Sequence, residues 1–79
     1  MPYVYLLRCS DGSLYCGWTT DPERRLKQHQ AGTASKYTKR RLPVEYALVI
    51  PAADRSAALR EEARIKKLSR REKLALIEG

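Results

Sequence analysis

The stretch from Tyr3 to Trp18 holds two short runs of β-branched, aromatic and aliphatic residues around Ser10-Asp11-Gly12. Strand propensity on both sides of a turn-forming Asp-Gly pair reads as a β-hairpin. The pair allows a two-residue type I′ turn, or a three-residue loop in which Ser10 and Asp11 form a type I turn and Gly12 takes αL as a G1 bulge. In the two-residue register Cys9 faces Leu14, and Tyr5 and Tyr15 end on opposite faces, because side chains alternate with period two. In the three-residue register Cys9 faces Ser13, Leu7 faces Tyr15 and Tyr5 faces Gly17, so the two tyrosines become diagonal neighbours. The second register is favoured because it gathers Val4, Leu6, Leu14, Cys16 and Trp18 as a core surface. Arg8 is the misfit on that face, and it sits near the hairpin end where it can reach water. The other face would present two phenols, with Gly17 leaving room for something to approach Tyr5. Tyrosine is also an ordinary strand residue, so the phenols alone do not define a site.

Asp21 is the expected N-cap of a helix with Pro22 at its first position, running to Ala31 and stopped by Gly32 in αL. Arg25 and His29 lie four apart and project from one side of it, beside Leu26, which anchors the helix to the sheet. From Thr33 to Pro43 the chain reads as a basic loop in which Lys36, Lys39, Arg40 and Arg41 surround Tyr37. Such a segment suits a phosphate backbone and a stacked base, or simply a solvated surface. Val44 to Ile50 is a nearly continuous apolar run closed by Pro51, as expected of a central strand covered on both faces. Asp54 then caps a helix expected over Arg55 to Leu68. On that helix Glu62 falls about 40° from Ala58, inside the apolar stripe that also holds Ile65, whereas Glu61 lies at its edge. An unpaired carboxylate there would cost several kcal/mol, so a lysine, Arg25 or a metal ion is expected beside Glu62. Ser69 and Glu72 form a capping box that opens a last helix, whose Leu74, Leu76 and Ile77 can pack on the core. Lys66, Lys67, Arg70, Arg71 and Lys73 bracket that junction, either as a second nucleic-acid contact or as solvated helix faces.

A chain of 79 residues is expected to form one domain, and at this size folding buries only about 60% of the unfolded surface. Sixteen Lys plus Arg against 9 Asp plus Glu give a net charge of +7. That excess calls for a polyanionic partner, nucleic acid before an acidic membrane surface. No apolar run approaches the length of a membrane span, and no charged n-region precedes an apolar h-region, so the expected location is the cytoplasm. Cys9 and Cys16 face opposite ways in the favoured register, which argues against a disulfide. A single histidine argues against a structural zinc site.

Tyr3-Val4-Tyr5, then Tyr15-Cys16-Gly17, then Arg25 and His29 within D-P-E-R-R-L-K-Q-H, and Glu62 within E-A-R-I-K resemble, in order and spacing, the GIY-YIG nuclease superfamily. More narrowly, the chain is similar to the small stand-alone bacterial GIY-YIG proteins of unassigned biological role. The resemblance implies an α/β (α+β) domain over residues 1–79, with a three-stranded antiparallel sheet flanked by helices in the order β-β-α-β-α-α. It also implies a metal-dependent endonuclease, acting on DNA more than on RNA. Tyr3 and Cys16 stand where the family name has Gly and Ile. Many members carry an asparagine after the glutamate, and this chain contains none.

By the same resemblance, Glu62 would be the only protein ligand of a single Mg²⁺ or Mn²⁺, which keeps waters and shares the substrate phosphate. Arg25 would neutralise the phosphate with its forked donors. Tyr5 would take the proton of the attacking water, His29 would accept or relay it, and Tyr15 would hydrogen-bond water or phosphate. A free phenol titrates near 10, so action at neutral pH means lowering that by about 3 units, roughly 4 kcal/mol, or passing the proton onward as the water reacts. Nucleic-acid contacts are expected from Lys36, Tyr37, Lys39, Arg40, Arg41 and Lys66. The protein is expected to be a monomer whose specificity follows substrate structure or a protein partner. The competing reading is a nucleic-acid-binding module of the same fold that does not cut.

Overall fold

In the computed structural model, which describes residues Met1–Gly79, the hairpin adopts the register with the three-residue loop. Strand β1 (Tyr3–Arg8) pairs antiparallel with β2 (Leu14–Thr19), placing Tyr5 opposite Gly17, Leu7 opposite Tyr15 and Arg8 opposite Leu14. Gly12 holds φ +83°, and its N–H donates to the Cys9 carbonyl at 2.9 Å. This is the αL position that closes a type I turn with a bulge, and glycine occupies it without a Cβ penalty. Arg8 is exposed at the hairpin end, 3.9 Å from the Glu45 carboxylate.

Strand β3 (Glu45–Pro51) joins the other edge of β1, also antiparallel, so the sheet order is β2-β1-β3. The apolar run of β3 therefore belongs to an edge strand, and the central strand is β1, where Val4, Leu6 and Leu7 are fully buried. The apolar residues of β3 divide between the two faces of the sheet: Leu48 and Ile50 pack beside Val4 and Leu6, Tyr46 packs beside Tyr5 and Leu7, and Val49 remains 37% exposed. Between Leu6 and Leu7 the β1–β3 register slips, with Leu6 opposite Leu48 and Leu7 opposite Tyr46. The extra residue, Ala47, reverses the alternation and turns Tyr46 onto the same face as Tyr5 and Leu7.

Two small cores result, one on each face of the sheet. Val4, Leu6 and Cys16 pack with Ala58 and Ile65 of α3 (Arg55–Lys66), supported by Leu76 and Ile77 of α4 (Arg70–Glu78). Tyr5, Leu7, Cys9 and Val44 form the other core, with Leu26 of α1 (Pro22–Gln30), Tyr15 and Tyr46 around them. Each fully buried aliphatic side chain contributes about 1.5–3 kcal/mol, so a few residues of β1 supply much of the stability on both sides. Cys9 and Cys16 are free and divided between the two cores. Burial, then the Glu62 carboxylate, pushes the Cys16 thiol up to about 11, leaving it an inert apolar group.

The helix boundaries follow their caps. The Asp21 side chain accepts from Arg24 N–H at 3.1 Å, Asp54 accepts from Ala57 N–H at 2.7 Å, and Ser69 with Glu72 makes both bonds of a capping box. Helix α1 stops where Gly32 takes φ +78°. Helix α3 ends two residues short of Leu68, because the chain must straighten before the Ser69 cap opens α4. The segment Thr33–Pro43, expected to be a loop, contains one helical turn, α2 (Lys36–Lys39), whose N-cap Ser35 accepts from Tyr37 N–H at 3.1 Å. The Gln30 carboxamide then pairs with both backbone groups of Val44, at 2.5 and 3.2 Å, and sets the start of β3 against α1.

Candidate active site

The side chains that α1 and β1 bring together form a buried hydrogen-bonded row. The Tyr5 hydroxyl lies 2.8 Å from His29 Nε2, and His29 Nδ1 lies 2.8 Å from Thr38 Oγ1 on α2. Tyr5 is 3% exposed, His29 1% and Thr38 0%. Burial, followed by the neighbouring Tyr15, raises the Tyr5 phenol above its ordinary value, and the Arg25 charge only partly offsets this. Burial, and then Arg25, holds His29 below its ordinary value. At neutral pH the pair is therefore a neutral phenol beside a neutral imidazole.

Around the row stands an aromatic cluster. Tyr15 meets His29 edge-on with centroids 5.3 Å apart, and its ring lies 6.5 Å from that of Tyr5. Tyr46 packs edge-on against Tyr5 at 5.3 Å while its hydroxyl donates to the Pro22 carbonyl at 2.6 Å. Gly17 does not hold space open for a ligand. A Cβ there would lie 2.5 Å from the Tyr5 hydroxyl oxygen and 2.7 Å from Cζ, so the missing side chain is the bed on which the Tyr5 ring rests.

Arg25 borders a polar cleft at the start of α1 with Thr19, Thr20, Asp21, Arg24 and Gln28. Its Nε is buried and has no hydrogen-bond partner. An orphaned buried donor costs on the order of 1–3 kcal/mol, which an anionic oxygen would recover. Glu62, on α3, is half-buried with its side chain 17% exposed, and the Lys66 ammonium lies 3.6 Å away. Its charge, like that of Arg25, is felt at the Tyr5 phenol. The partner expected for Glu62 is thus Lys66, which serves as its counter-ion. Glu61 pairs instead with Arg64 on the helix surface. No group of three or more His, Cys, Asp or Glu side chains forms a cage for a metal. A lone carboxylate suits a hard divalent cation that keeps most of its waters, and does not suit zinc.

The basic residues separate into two kinds. Lys36, Lys39 and Arg40 are exposed and line one concave surface along α2. Arg41 is committed to the fold: it bonds Asp11 at 3.0 Å and the Tyr37 carbonyl at 2.9 Å, and lies 3.9 Å over the Tyr37 ring. Tyr37 itself stacks with Tyr15 at 5.8 Å, so its ring continues the aromatic cluster toward the surface. Arg70 and Lys73 of α4 reach the same neighbourhood, lining a hollow with Ser13, Leu14 and Tyr37.

Thr38 and Tyr46 were not singled out by sequence. Thr38 sits in a basic stretch that looks solvated, and the one available signal was the Ser35 cap that makes a helical turn and directs residue 38 inward. Tyr46 reaches the site only through the bulge at Ala47, which alternation alone cannot supply.

A small antiparallel sheet with two tyrosines from its hairpin, an Arg–His helix and a glutamate on α3 define a nuclease-type domain. The family described as the GIY-YIG catalytic domain matches residues 1–75, and the chain belongs to it. A UPF0213 protein from Streptococcus sanguinis is 51% identical over 95% of this chain and 86% of its own length. One from Halobacterium salinarum is 47% identical over 96% of this chain and 99% of its own. The solution NMR structure of a UPF0213 protein from Bacillus halodurans superimposes with a TM-score of 0.64 at 43% identity, covering 99% of this chain and 84% of that one. The solution NMR structure of a protein from E. faecalis gives a TM-score of 0.65 at 47% identity, covering 96% of this chain and 81% of that one. No helix is long and apolar enough to cross a membrane.

Proposed function

We propose that this protein is a metal-dependent endonuclease that hydrolyses phosphodiester bonds in nucleic acid, DNA more than RNA. The observation that carries the reading is the buried 2.8 Å contact between the Tyr5 hydroxyl and a neutral His29. It supplies what the phenol needs as a base. Tyr5 takes a proton from the attacking water at its oxygen while releasing its own to His29 Nε2, so no free phenolate forms in a site that disfavours one. Arg25, with its unpartnered Nε, receives the phosphate oxygens in its fork. Tyr15 orients water or phosphate from the neighbouring strand. Glu62 is the residue to hold a single Mg²⁺ or Mn²⁺, with Lys66 giving way as its counter-ion. When bound, the ion neutralises phosphoryl charge and eases departure of the leaving oxygen. Lys36, Lys39 and Arg40 track the backbone beside the site, and Arg41 contributes by holding Tyr37.

The test is cleavage of labelled single-stranded, duplex and branched DNA and RNA with Mg²⁺ or Mn²⁺, comparing wild type with Glu62→Gln and Tyr5→Phe. Cutting that needs metal and disappears in both variants is the expected result. If wild type binds the panel in a salt-sensitive way and cuts none of it, the protein is a binding module and the catalytic reading is wrong.

A further inference from the structure

We propose that Thr38 is a positioning residue of this site: its hydroxyl fixes His29 as the Nδ1–H tautomer and so aims the Nε2 lone pair at Tyr5. The proposal rests on the nuclease reading for its purpose, but its geometry stands apart from that reading.

Thr38 Oγ1 has one hydrogen, and it has two neighbours: His29 Nδ1 at 2.8 Å and the Ser35 carbonyl at 3.3 Å. A neutral imidazole has one donor nitrogen and one acceptor nitrogen. Suppose the row runs from Tyr5 to His29 to Thr38 to Ser35. Then the Tyr5 hydroxyl donates to Nε2, Nδ1–H donates to Thr38, and Thr38 donates to the carbonyl, so every hydrogen is used. The Tyr5 oxygen keeps its lone pairs in this arrangement.

Suppose instead that the row runs the other way. Thr38 then donates to Nδ1, and Nε2–H donates to the Tyr5 oxygen. The Tyr5 hydrogen loses its acceptor, because His29 is the sole hydrogen-bond partner of that hydroxyl, and Tyr5 is 3% exposed. A buried donor left unsatisfied costs on the order of 1–3 kcal/mol. The shorter Thr38–His29 distance does not discriminate, since both directions use that contact. The satisfied row is the one in which His29 can accept from Tyr5.

A main-chain carbonyl at the end of the row gives the turn its logic. Ser35 caps α2, and its carbonyl also accepts the Lys39 N–H at 3.0 Å. The carbonyl that orients Thr38 is therefore itself held by the helical turn. The fold places this turn behind His29, where sequence alone suggested only a basic loop.

Because the chain contains one histidine, the tautomer can be read without assignment. The full chain, labelled with ¹⁵N-histidine, would be examined by long-range ¹H–¹⁵N NMR well above the ordinary imidazole range, with no substrate present. Wild type should show a protonated Nδ1 and an unprotonated Nε2. Thr38→Val keeps the shape without the hydroxyl, and should move Nδ1 toward the unprotonated position. Thr38→Ser should restore the wild-type pattern. Single-turnover cleavage should fall roughly 10–100-fold in Thr38→Val, with nucleic-acid affinity unchanged, and recover in Thr38→Ser. A wild-type spectrum with protonated Nε2 overturns the proposal even if the Val variant does not fold, and so does a folded Val variant whose tautomer is unchanged. If no form of the protein cuts, the nuclease reading fails while the spectra still decide what Thr38 does to His29.

Discussion

Replacing Gly17 by alanine should destabilise the protein, against the usual expectation for a strand. Exchanging a strand glycine for alanine ordinarily gains about 0.5–1 kcal/mol, because glycine loses more freedom on folding. Here the new methyl carbon would lie 2.5 Å from the Tyr5 oxygen, 2.7 Å from Cζ and 3.2 Å from Cε1. Carbon contacts are comfortable at about 3.5–4 Å, so the ring must retreat by about 1 Å. It has little room, with His29, Tyr15 and Tyr46 centroids at 5.8, 6.5 and 5.3 Å. Retreat breaks the hydrogen bond to His29. Overpacking costs about 1–3 kcal/mol, and the orphaned buried group about 1–3 more. After the entropic gain the net loss is roughly 1–5 kcal/mol, or about 5–40 °C in the melting midpoint of a domain this small. Thermal and urea unfolding followed by circular dichroism would measure it. In a Tyr5→Leu background, where the shorter side chain has no atoms at those positions, Gly17→Ala should cost nothing. A single Gly17→Ala variant as stable as wild type would refute the steric argument and the preorganised Tyr5–His29 pair with it.

Stability should fall as pH drops through the imidazole range. His29 in the folded protein lies below its ordinary 6.5, so the unfolded chain takes up the proton first. The contribution is complete above that value and is lost on acidification below it, which urea midpoints against pH would show and a His29→Gln variant should flatten. Tyr5 has the opposite sign: raised above its ordinary 10.0, it contributes fully below that pH and progressively less above it, and spectrophotometric titration should find a phenol that resists ionisation until the fold is lost. Alanine at Lys36, Lys39 or Arg40 should each reduce the slope of log affinity against log salt by about 0.7–0.9 for a phosphate contact. Arg41→Ala should act chiefly on stability, since its guanidinium is bonded to Asp11 and Tyr37; fluorescence anisotropy over a salt series separates the two behaviours.

The parts of this fold legible in sequence are those fixed by local chemistry. The hairpin register followed from Gly12 in αL together with the alternation of Val4, Leu6, Cys16 and Trp18, two signals that agree. The caps Asp21, Asp54 and Ser69 placed three helices because a short polar side chain before a helix satisfies its free N–H groups. The rest depends on lateral neighbours. An apolar run such as Val44 to Ile50 reports that its faces are covered, not that both its edges are paired, and so it suggested a central strand where the sheet has an edge. Sequence suggests open space at Gly17 because it shows an absent side chain but not which neighbour fills the gap. Thr38 was invisible for a similar reason: a threonine among lysines and arginines looks solvated until the turn rotates it behind His29.

The chemistry of the candidate site turns on one of two routes left open by the residues themselves. A tyrosine acting as a base at neutral pH needs its phenol lowered by about 3 units, roughly 4 kcal/mol, or needs an acceptor that takes its proton during the reaction. Burial and Tyr15 work against the first route, since they raise the phenol despite Arg25. The structure supports the second, since the same burial keeps His29 neutral and 2.8 Å away. Desolvation therefore does two useful things at once. It prevents a resting phenolate, which would draw on the Arg25 charge, and it preserves an imidazole able to accept. On this argument Tyr5→Phe and His29→Gln should impair cleavage to comparable degrees and combine without adding, because each breaks the same proton path. If the double variant were slower than either single one by the product of their effects, the two residues would be acting independently and the coupled transfer would be wrong.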